Sequence, residues 1–481
     1  MTIELLDVRV NHQGRALVDV PRLTLEPGQA VTIVGESGSG KSLLAHALMG
    51  SLPRSLQVQG DIRFGADRSC LADVGARRKL WGHRLALLPQ EPVLALDPTM
   101  RIDQQVAEGH PRFLHGRRGR LDALEQASER LAGLGLHNVH NTYPHTLSGG
   151  MAQRVAFAAA TIGGAQVLIT DEPSKGLDPV ARDSLARLLS QHVEHGGALL
   201  TITHDLDLAR ALGGELLVMQ QANIVEHGPA EQVLTAPAHP WTQRLLAAEP
   251  NQWVPSWRGA GASSADATPL IEARGLSKAY GGLPLFSGLD LEITPGERLA
   301  LTGPSGSGKT TLGGILLKLV HPDAGEVIHH PDLADGRVQK LYQDPTVAFP
   351  ARTPIRAGLR DVTRRHRVDP ERVNMLMDRL RLDPSLLDRR PGEISGGELQ
   401  RIAIIRAMLL NPRVIFADEP TSRLDLLTQQ ETMDCLMNQV SEQDAALVLV
   451  THDIGLAAAV TDRNLSLDNA DPVSMAPARV D

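Results

Sequence analysis

One eight-residue pattern occurs twice in the chain: GESGSGKS starts at Gly35 and GPSGSGKT at Gly303. A repeat on this scale constrains the fold more than composition can, because each copy must build the same local structure for itself. The flanking segments repeat as well. Pro27-Gly28 answers Pro295-Gly296, and LSGG at 147–150 answers ISGG at 394–397. VLITDEP at 167–173 answers VIFADEP at 414–420, and LLTITHD at 199–205 answers VLVTHD at 448–453. The 481-residue chain is therefore a duplication, with a first domain over 1–250 and a second over 270–481. Between them, residues 251–269 are rich in Gly, Ala, Ser and Pro and read as a linker. The second copy is shorter: 92 positions separate Gly303 from Ser395, against 113 from Gly35 to Ser148. Length differences of this kind are expected in loops.

Short β-rich runs such as AVTIVG and VLITD alternate with longer helical stretches such as GGMAQRVAFAAATI. That alternation predicts an α/β fold, a mainly parallel sheet covered by helices in each copy. Aromatic residues are only 3% of the chain, so the cores must rest on Leu, Val, Ile and Ala. The two cysteines, Cys70 and Cys435, make neither a disulfide framework nor a Cys-rich metal site. A net charge of −8 argues against nucleic acid as the main partner. The longest apolar runs are strand-sized, far below the ~20 residues of a membrane span, and the start of the chain lacks the layout of a signal peptide. The expectation is a soluble, cytoplasmic chain. If it serves a membrane, other chains supply the spans.

GxxxxGK[ST] is a phosphate-binding loop. Gly35, Gly38 and Gly40, with Gly303, Gly306 and Gly308, let the backbone wrap round phosphates and turn its N–H groups inward. Ser37 and Ser39, with Ser305, Ser307 and Thr311, complete the two loops. The helix that follows offers its positive end. Lys41 and Lys309 are placed to reach the β- and γ-phosphates of ATP, and Ser42 and Thr310 to hold Mg²⁺. Asp171 and Asp418 end apolar strands and are suited to the same ion. Glu172 and Glu419 follow directly, where a carboxylate can orient or deprotonate an attacking water.

The ordered set of phosphate loop, Gln, SGG, DEP, Asp and THD resembles the ATP-binding cassette (ABC) ATPases, over nearly the whole chain and twice. The resemblance implies two tandem P-loop nucleotide-binding domains, each with a mainly parallel core, an antiparallel β subdomain and a helical signature subdomain. It implies that Gln90 and Gln343 contact metal or water and sense a membrane partner. It implies that Ser148, Gly149 and Gly150 of one domain, and Ser395, Gly396 and Gly397 of the other, each cover the γ-phosphate held opposite. The two cassettes would thus pair within the chain. By the same resemblance His204 and His452 contact the γ-phosphate, and Asp178 and Asp425 lie in the D-loops. His12 and Tyr280 fall where an early-strand aromatic ring stacks on adenine. Two positions depart from the pattern: the residue after SGG, usually Gln, is Met151 in one copy and Glu398 in the other.

TAPAHPWTQRLLAAEP at 235–250 is similar to the tail of the peptide, nickel and opine uptake branch of that family, and QEPVLALDP at 90–98 is similar to the branch's Q-loop. The resemblance implies an import motor at the cytoplasmic face of the membrane. Its partners would be two membrane permease subunits and an extracytoplasmic solute-binding protein, without nucleic acid. Cargo stays open among peptides, nickel or other metal complexes, and opine-like solutes. Leu96 and Phe349, in the unlike segments after the two Gln residues, are expected at the permease surface. The alternatives are a soluble tandem ABC protein acting on ribosomes and a member of a phosphonate-degrading complex. The short, nearly uncharged linker and the HPWT motif distinguish this chain from the ribosome-associated kind.

Overall fold

The computed structural model describes residues 2–253, 267–334 and 336–467. Most of the segment read as a linker, 254–266, lies outside the described residues. The chain divides into two compact units, Met1–Ala247 and Ala248–Asp481.

The first unit has strands β1 (Ile3–His12), β2 (Arg15–Leu25), β3 (Ala30–Gly35), β4 (Gln57–Phe64) and β5 (Asp67–Cys70). It continues with β6 (Leu85–Leu88), β7 (Val167–Asp171), β8 (Ala198–Ile202), β9 (Glu215–Gln220) and β10 (Asn223–Pro229). All join one sheet in the order β5-β4-β1-β2-β10-β9-β3-β8-β7-β6. The block β6-β7-β8-β3-β9 is parallel throughout. Strands β3, β7 and β8 are buried at every position, which is why their sequences are largely apolar rather than alternating. Strands β1, β2, β4 and β5 pair antiparallel. They meet the parallel block through β10, which touches β2 at the single pair Asn223↔Asp19.

The second unit has β11 (Ile271–Tyr280), β12 (Leu283–Ile293), β13 (Arg298–Thr302), β14 (Ala324–His329), β15 (Val338–Leu341), β16 (Val414–Asp418), β17 (Ala446–Val450) and β18 (Arg463–Ser466). Here the same two parts are separate sheets, antiparallel β12-β11-β14 and parallel β15-β16-β17-β13-β18. Strand β18 takes the place of β9. Residues beyond 467 lie outside the described residues. Each unit is thus an α/β cassette with a parallel core and an antiparallel part.

Both units carry a helical part. In the first, helices Ile102–Glu108 and Gly116–Gly133 pack on helix Gly149–Thr161 through Val106, Ala127, Leu131 and Val155. In the second, helices Ile355–His366 and Glu371–Arg379 pack on helix Gly396–Met408 through Leu359, Leu376 and Ile402. Part of the extra length of the first unit, expected in loops, is regular structure. From Gln57 to Gln90 is 33 positions, against 19 from Ala324 to Gln343. The difference holds β5 and helix Val74–Arg78. The guanidinium of the buried Arg77 ties this insert together by donating to the carbonyls of Cys70 and Leu71, while its Nε finds no partner among the described residues.

Residues Pro250–Trp253 are built into the second unit. The Trp253 ring is 8% exposed within that unit's core, and its Nε1 donates to the Ala248 carbonyl at 2.9 Å. Asn251 stands against Gly455, at the start of helix Ile454–Val460.

The two cores are packed by complementary size changes. Helix Lys41–Met49 in the first unit carries Ala45 where helix Lys309–Leu316 has Gly313, and β7 carries Ile169 where β16 has Phe416. A Cβ placed on Gly313 would stand 1.9 Å from Phe416 Cζ. Gly313→Ala should therefore lower stability by about 1–3 kcal/mol, although alanine is the better helix former. Adding Phe416→Ile should recover most of that loss. Urea unfolding of the full chain and both variants checks this, and a Gly313→Ala chain as stable as the parent would show that the ring has room to move.

Candidate functional site

In each unit the phosphate-loop lysine and hydroxyl, the strand-end aspartate and glutamate, and the histidine converge at the carboxyl ends of the parallel strands, where open α/β sheets place their ligands. The loop after β3 leads into helix Lys41–Met49, and its glycines are required by geometry. Gly40 has φ +102°, and a Cβ there would lie 2.2 Å from the Leu17 carbonyl oxygen. Lys41 is 7% exposed and its ammonium donates to the carbonyls of Gly35 at 2.8 Å and Glu36 at 2.7 Å. Lys309 does the same to Gly303 and Pro304, both at 2.8 Å. The loops thus hold a positive charge at their centres. The buried hydroxyls of Ser39 and Ser307 have no hydrogen-bond partner among the described residues. A buried unpaired donor inside a cradle of N–H groups fits a phosphate oxygen.

Ser42 Oγ donates to Asp171 Oδ1 at 3.0 Å, and Thr310 Oγ1 to Asp418 Oδ1 at 3.1 Å. A hydroxyl beside a carboxylate is a hard-oxygen donor set of the kind Mg²⁺ prefers. Among the described residues no cluster of three or more His, Cys, Asp or Glu offers another metal site. Burial raises the Asp171 carboxyl, partly offset by the Ser42 hydroxyl.

Glu172 and Glu419 each continue their strand by one hydrogen bond, donating N–H to Ile202 at 2.8 Å and to Val450 at 3.0 Å. They then turn with φ +48° and +44°. A left-handed backbone at a non-glycine residue is a local strain that the surrounding sheet must hold. The turn places each carboxylate on the histidine that follows the neighbouring strand. His204 Nδ1 lies 2.7 Å from Glu172 Oε2, and His452 Nδ1 3.2 Å from Glu419 Oε1. Burial pushes both carboxyls up, but the hydrogen bond and charge of the histidine more than reverse it, leaving them below the ordinary value. Burial likewise pushes both imidazoles down, and the carboxylates more than reverse that, leaving them raised.

The other marked residues are arranged less symmetrically. Both Gln residues are exposed, and Gln343 Nε2 donates to Glu419 Oε2 at 2.9 Å. Ser148 and Ser395 are the N-caps of the helices that begin with their glycines. Ser395 is further locked by Glu398 in a capping box, which Met151 cannot form. Asp178 and Asp425 cap helices Pro179–Glu194 and Leu426–Glu442. His12 and Tyr280 sit at equivalent hairpin tips, both exposed, with the Lys278 ammonium over the Tyr280 ring at 5.3 Å. Sequence reasoning missed one residue. The Lys340 ammonium lies 3.1 Å from Asp418 Oδ2, at a position where the first copy has Leu87.

Comparison with known proteins agrees with this geometry. The family model described as "ABC transporter" matches residues 18–175 and 286–422. The chain is 33% identical to the glutathione import ATP-binding protein GsiA of Salmonella choleraesuis, over all of this chain and 86% of that one. It is 32% identical to the peptidoglycan transport ATP-binding protein YejF of Agrobacterium fabrum, over 97% of this chain and 91% of that one. Among solved structures it is similar in fold to an RNase-L Inhibitor, with TM-score 0.65, 23% identity and coverage of 96% and 87%. Among the described residues no helix is long and apolar enough to cross a membrane.

The Glu–His pairs make stability depend on pH with a defined sign. Each carboxyl is lowered on folding from its ordinary 4.5, so its contribution is present above that value and lost as pH falls through the folded one. Each imidazole is raised from its ordinary 6.5, so its contribution is full below that value and lost as pH rises through the folded one. His204→Gln should therefore cost most stability near about pH 5.5 and much less at about pH 9. Denaturant unfolding of parent and variant at both values tests it, and a pH-independent gap would rule out the charged pair.

Proposed function

The chain belongs to the ABC transporter family and is an ATPase of that family, and from that premise we propose that it drives an importer of peptide-like solutes from the cytoplasmic face of a membrane. The observation that carries this reading is the presence, in both units, of a full set of loop lysine, hydroxyl–carboxylate pair, strained glutamate and partnered histidine. Neither copy has lost a member of the set. In this reading Lys41 and Lys309 exchange loop carbonyls for ATP phosphates, and Ser39 and Ser307 gain the partner they lack. Ser42 with Asp171, and Thr310 with Asp418, would hold Mg²⁺, which neutralises phosphate charge when bound. Glu172 and Glu419 orient the attacking water and accept its proton. Their histidines fix the carboxylates and face the γ-phosphate. Gln90 and Gln343 report the state of each site to the membrane partner. His12 and Tyr280 stack on adenine. The signature residues Ser148–Gly150 and Ser395–Gly397 complete the opposite site when the cassettes pair.

Two permease subunits and an extracytoplasmic solute-binding protein are the partners of this reading. Relatives named for glutathione import and peptidoglycan transport, aligned over nearly the whole chain, favour peptide-like cargo over nickel complexes and opines. The likeness to the RNase-L Inhibitor rests on fold alone and does not favour a ribosomal role.

Steady-state ATP hydrolysis by the purified full chain with its permeases tests the catalytic assignment. Glu172→Gln and Glu419→Gln should each lower turnover, and the double variant should lose on the order of 100-fold or more while still binding ATP. Full activity in either single variant would mean that the corresponding site is structural. Cross-linking tests the membrane partners. Leu96 and Phe349, expected at that surface, are 7% and 5% exposed and belong to the cores, because the apolar residues in these turns point inward. Cysteines at the exposed Ala95 and Val347 are the better probes, and they should capture two different permease chains. Capture of a single kind by both would contradict a heterodimeric membrane part.

A further inference from the structure

The carboxylate that ends β16 already has a cation on it. Strands β15 and β16 run parallel with Lys340 opposite Phe416. Residues two apart on a strand share a face, so Lys340, Phe416 and Asp418 line one side of the sheet. The Lys340 side chain crosses the Phe416 ring, with its ammonium 5.5 Å from the ring centre and 5.2 Å from that of Tyr342. It ends 3.1 Å from Asp418 Oδ2 and is only 15% exposed. The other oxygen of Asp418 accepts the Thr310 hydroxyl at 3.1 Å. In the first unit Leu87 stands opposite Ile169 in the same register, so that face of the sheet is apolar beside Asp171. The two sites therefore differ in fixed charge at the very carboxylate expected to face the metal.

We infer that Lys340 sets the metal requirement of the second site: it is a tethered cation that competes with Mg²⁺ for Asp418, so this site takes its ion more weakly than the first. The inference rests on the reading that Thr310 and Asp418 hold Mg²⁺ with ATP. Two positive charges sharing one carboxylate oppose each other, and the ammonium cannot diffuse away. To admit the ion, Lys340 must swing off Asp418 and give up a partly buried ion pair together with two ring contacts. The first site asks for no such displacement. At limiting Mg²⁺ the chain would then fill its two sites in a fixed order, the Lys41 site first.

Mn²⁺ reports the ion directly, because free aqueous Mn²⁺ gives an electron-paramagnetic signal that vanishes on binding. The full chain with saturating AMP-PNP should show two classes of Mn²⁺ site, separated by roughly tenfold in affinity. Lys340→Leu, which copies the residue at the first site, should tighten only the weaker class and merge the two. Leu87→Lys should weaken the tighter class. AMP-PNP binding by each variant controls for folding. If Lys340→Leu leaves two separate classes, or if the parent shows two equal sites, the inference is overturned while the metal reading stands. If AMP-PNP recruits no Mn²⁺ at either site, the metal reading falls and the inference with it.

Discussion

A single side-chain hydrogen bond fixes the geometry on which the rest of each unit depends. The first hydroxyl of the helix after the phosphate loop donates to the aspartate that ends a strand two places away in the sheet. It ties the loop's exit to the strand end across the intervening β8 or β17. With that tie in place the lysine ammonium can lie back on loop carbonyls, and the next glutamate can turn through a left-handed backbone onto its histidine. The hydroxyl–carboxylate pair is formed from groups that burial would penalise if left alone. The site is thus prearranged by interactions that a ligand can replace but need not create.

On this shared frame the two copies have drifted in charge more than in shape. The first keeps an apolar sheet face beside Asp171 and a methionine after its signature glycines. The second puts Lys340 beside Asp418, Gln343 on Glu419, and Glu398 on Ser395. The first two of these contacts draw polar groups of the second site into internal bonds. Asp418 and Glu419 thus carry side-chain partners, Lys340 and Gln343, that have no counterpart among the described residues of the first unit, where Glu172 instead accepts from the His204 N–H.

Much of this was legible in the sequence, because the chemistry is written in short contiguous motifs. Strands β3, β7 and β8 were visible as buried apolar runs, and the loops after them as Gly-rich or acidic turns. The parallel core, the antiparallel part and the convergence of Lys41, Ser42 and Asp171 followed from strand–helix alternation and family resemblance. What escaped was set by register. Lys340 and Asp418 lie 78 positions apart, and only the parallel pairing of β15 with β16 places them on one face. The insert at 67–78 looked like loop because a four-residue strand and a five-residue helix are too short to show a period. Leu96 and Phe349 were assigned to a surface because they lie in the unlike segments after Gln90 and Gln343, yet apolar residues of that size anchor such segments by burying. The left-handed φ of Glu172 and Glu419 has no signature in residue type, since glutamate gives no sign of tolerating it.

The exchange of Ala45 and Ile169 for Gly313 and Phe416 also bears on how such a chain persists as a gene. Tandem repeats invite recombination between their halves, which erases differences between them. A crossover that joined the helix of one copy to the strand of the other would seat Ala45 under Phe416, or leave Gly313 facing Ile169. The first product is overfilled and the second hollow, and both carry a stability penalty. Since each residue of a pair lies far from its partner in sequence, short conversion tracts would nearly always separate them. The core itself thus selects against homogenisation, and it keeps apart two halves whose sites have become chemically unlike.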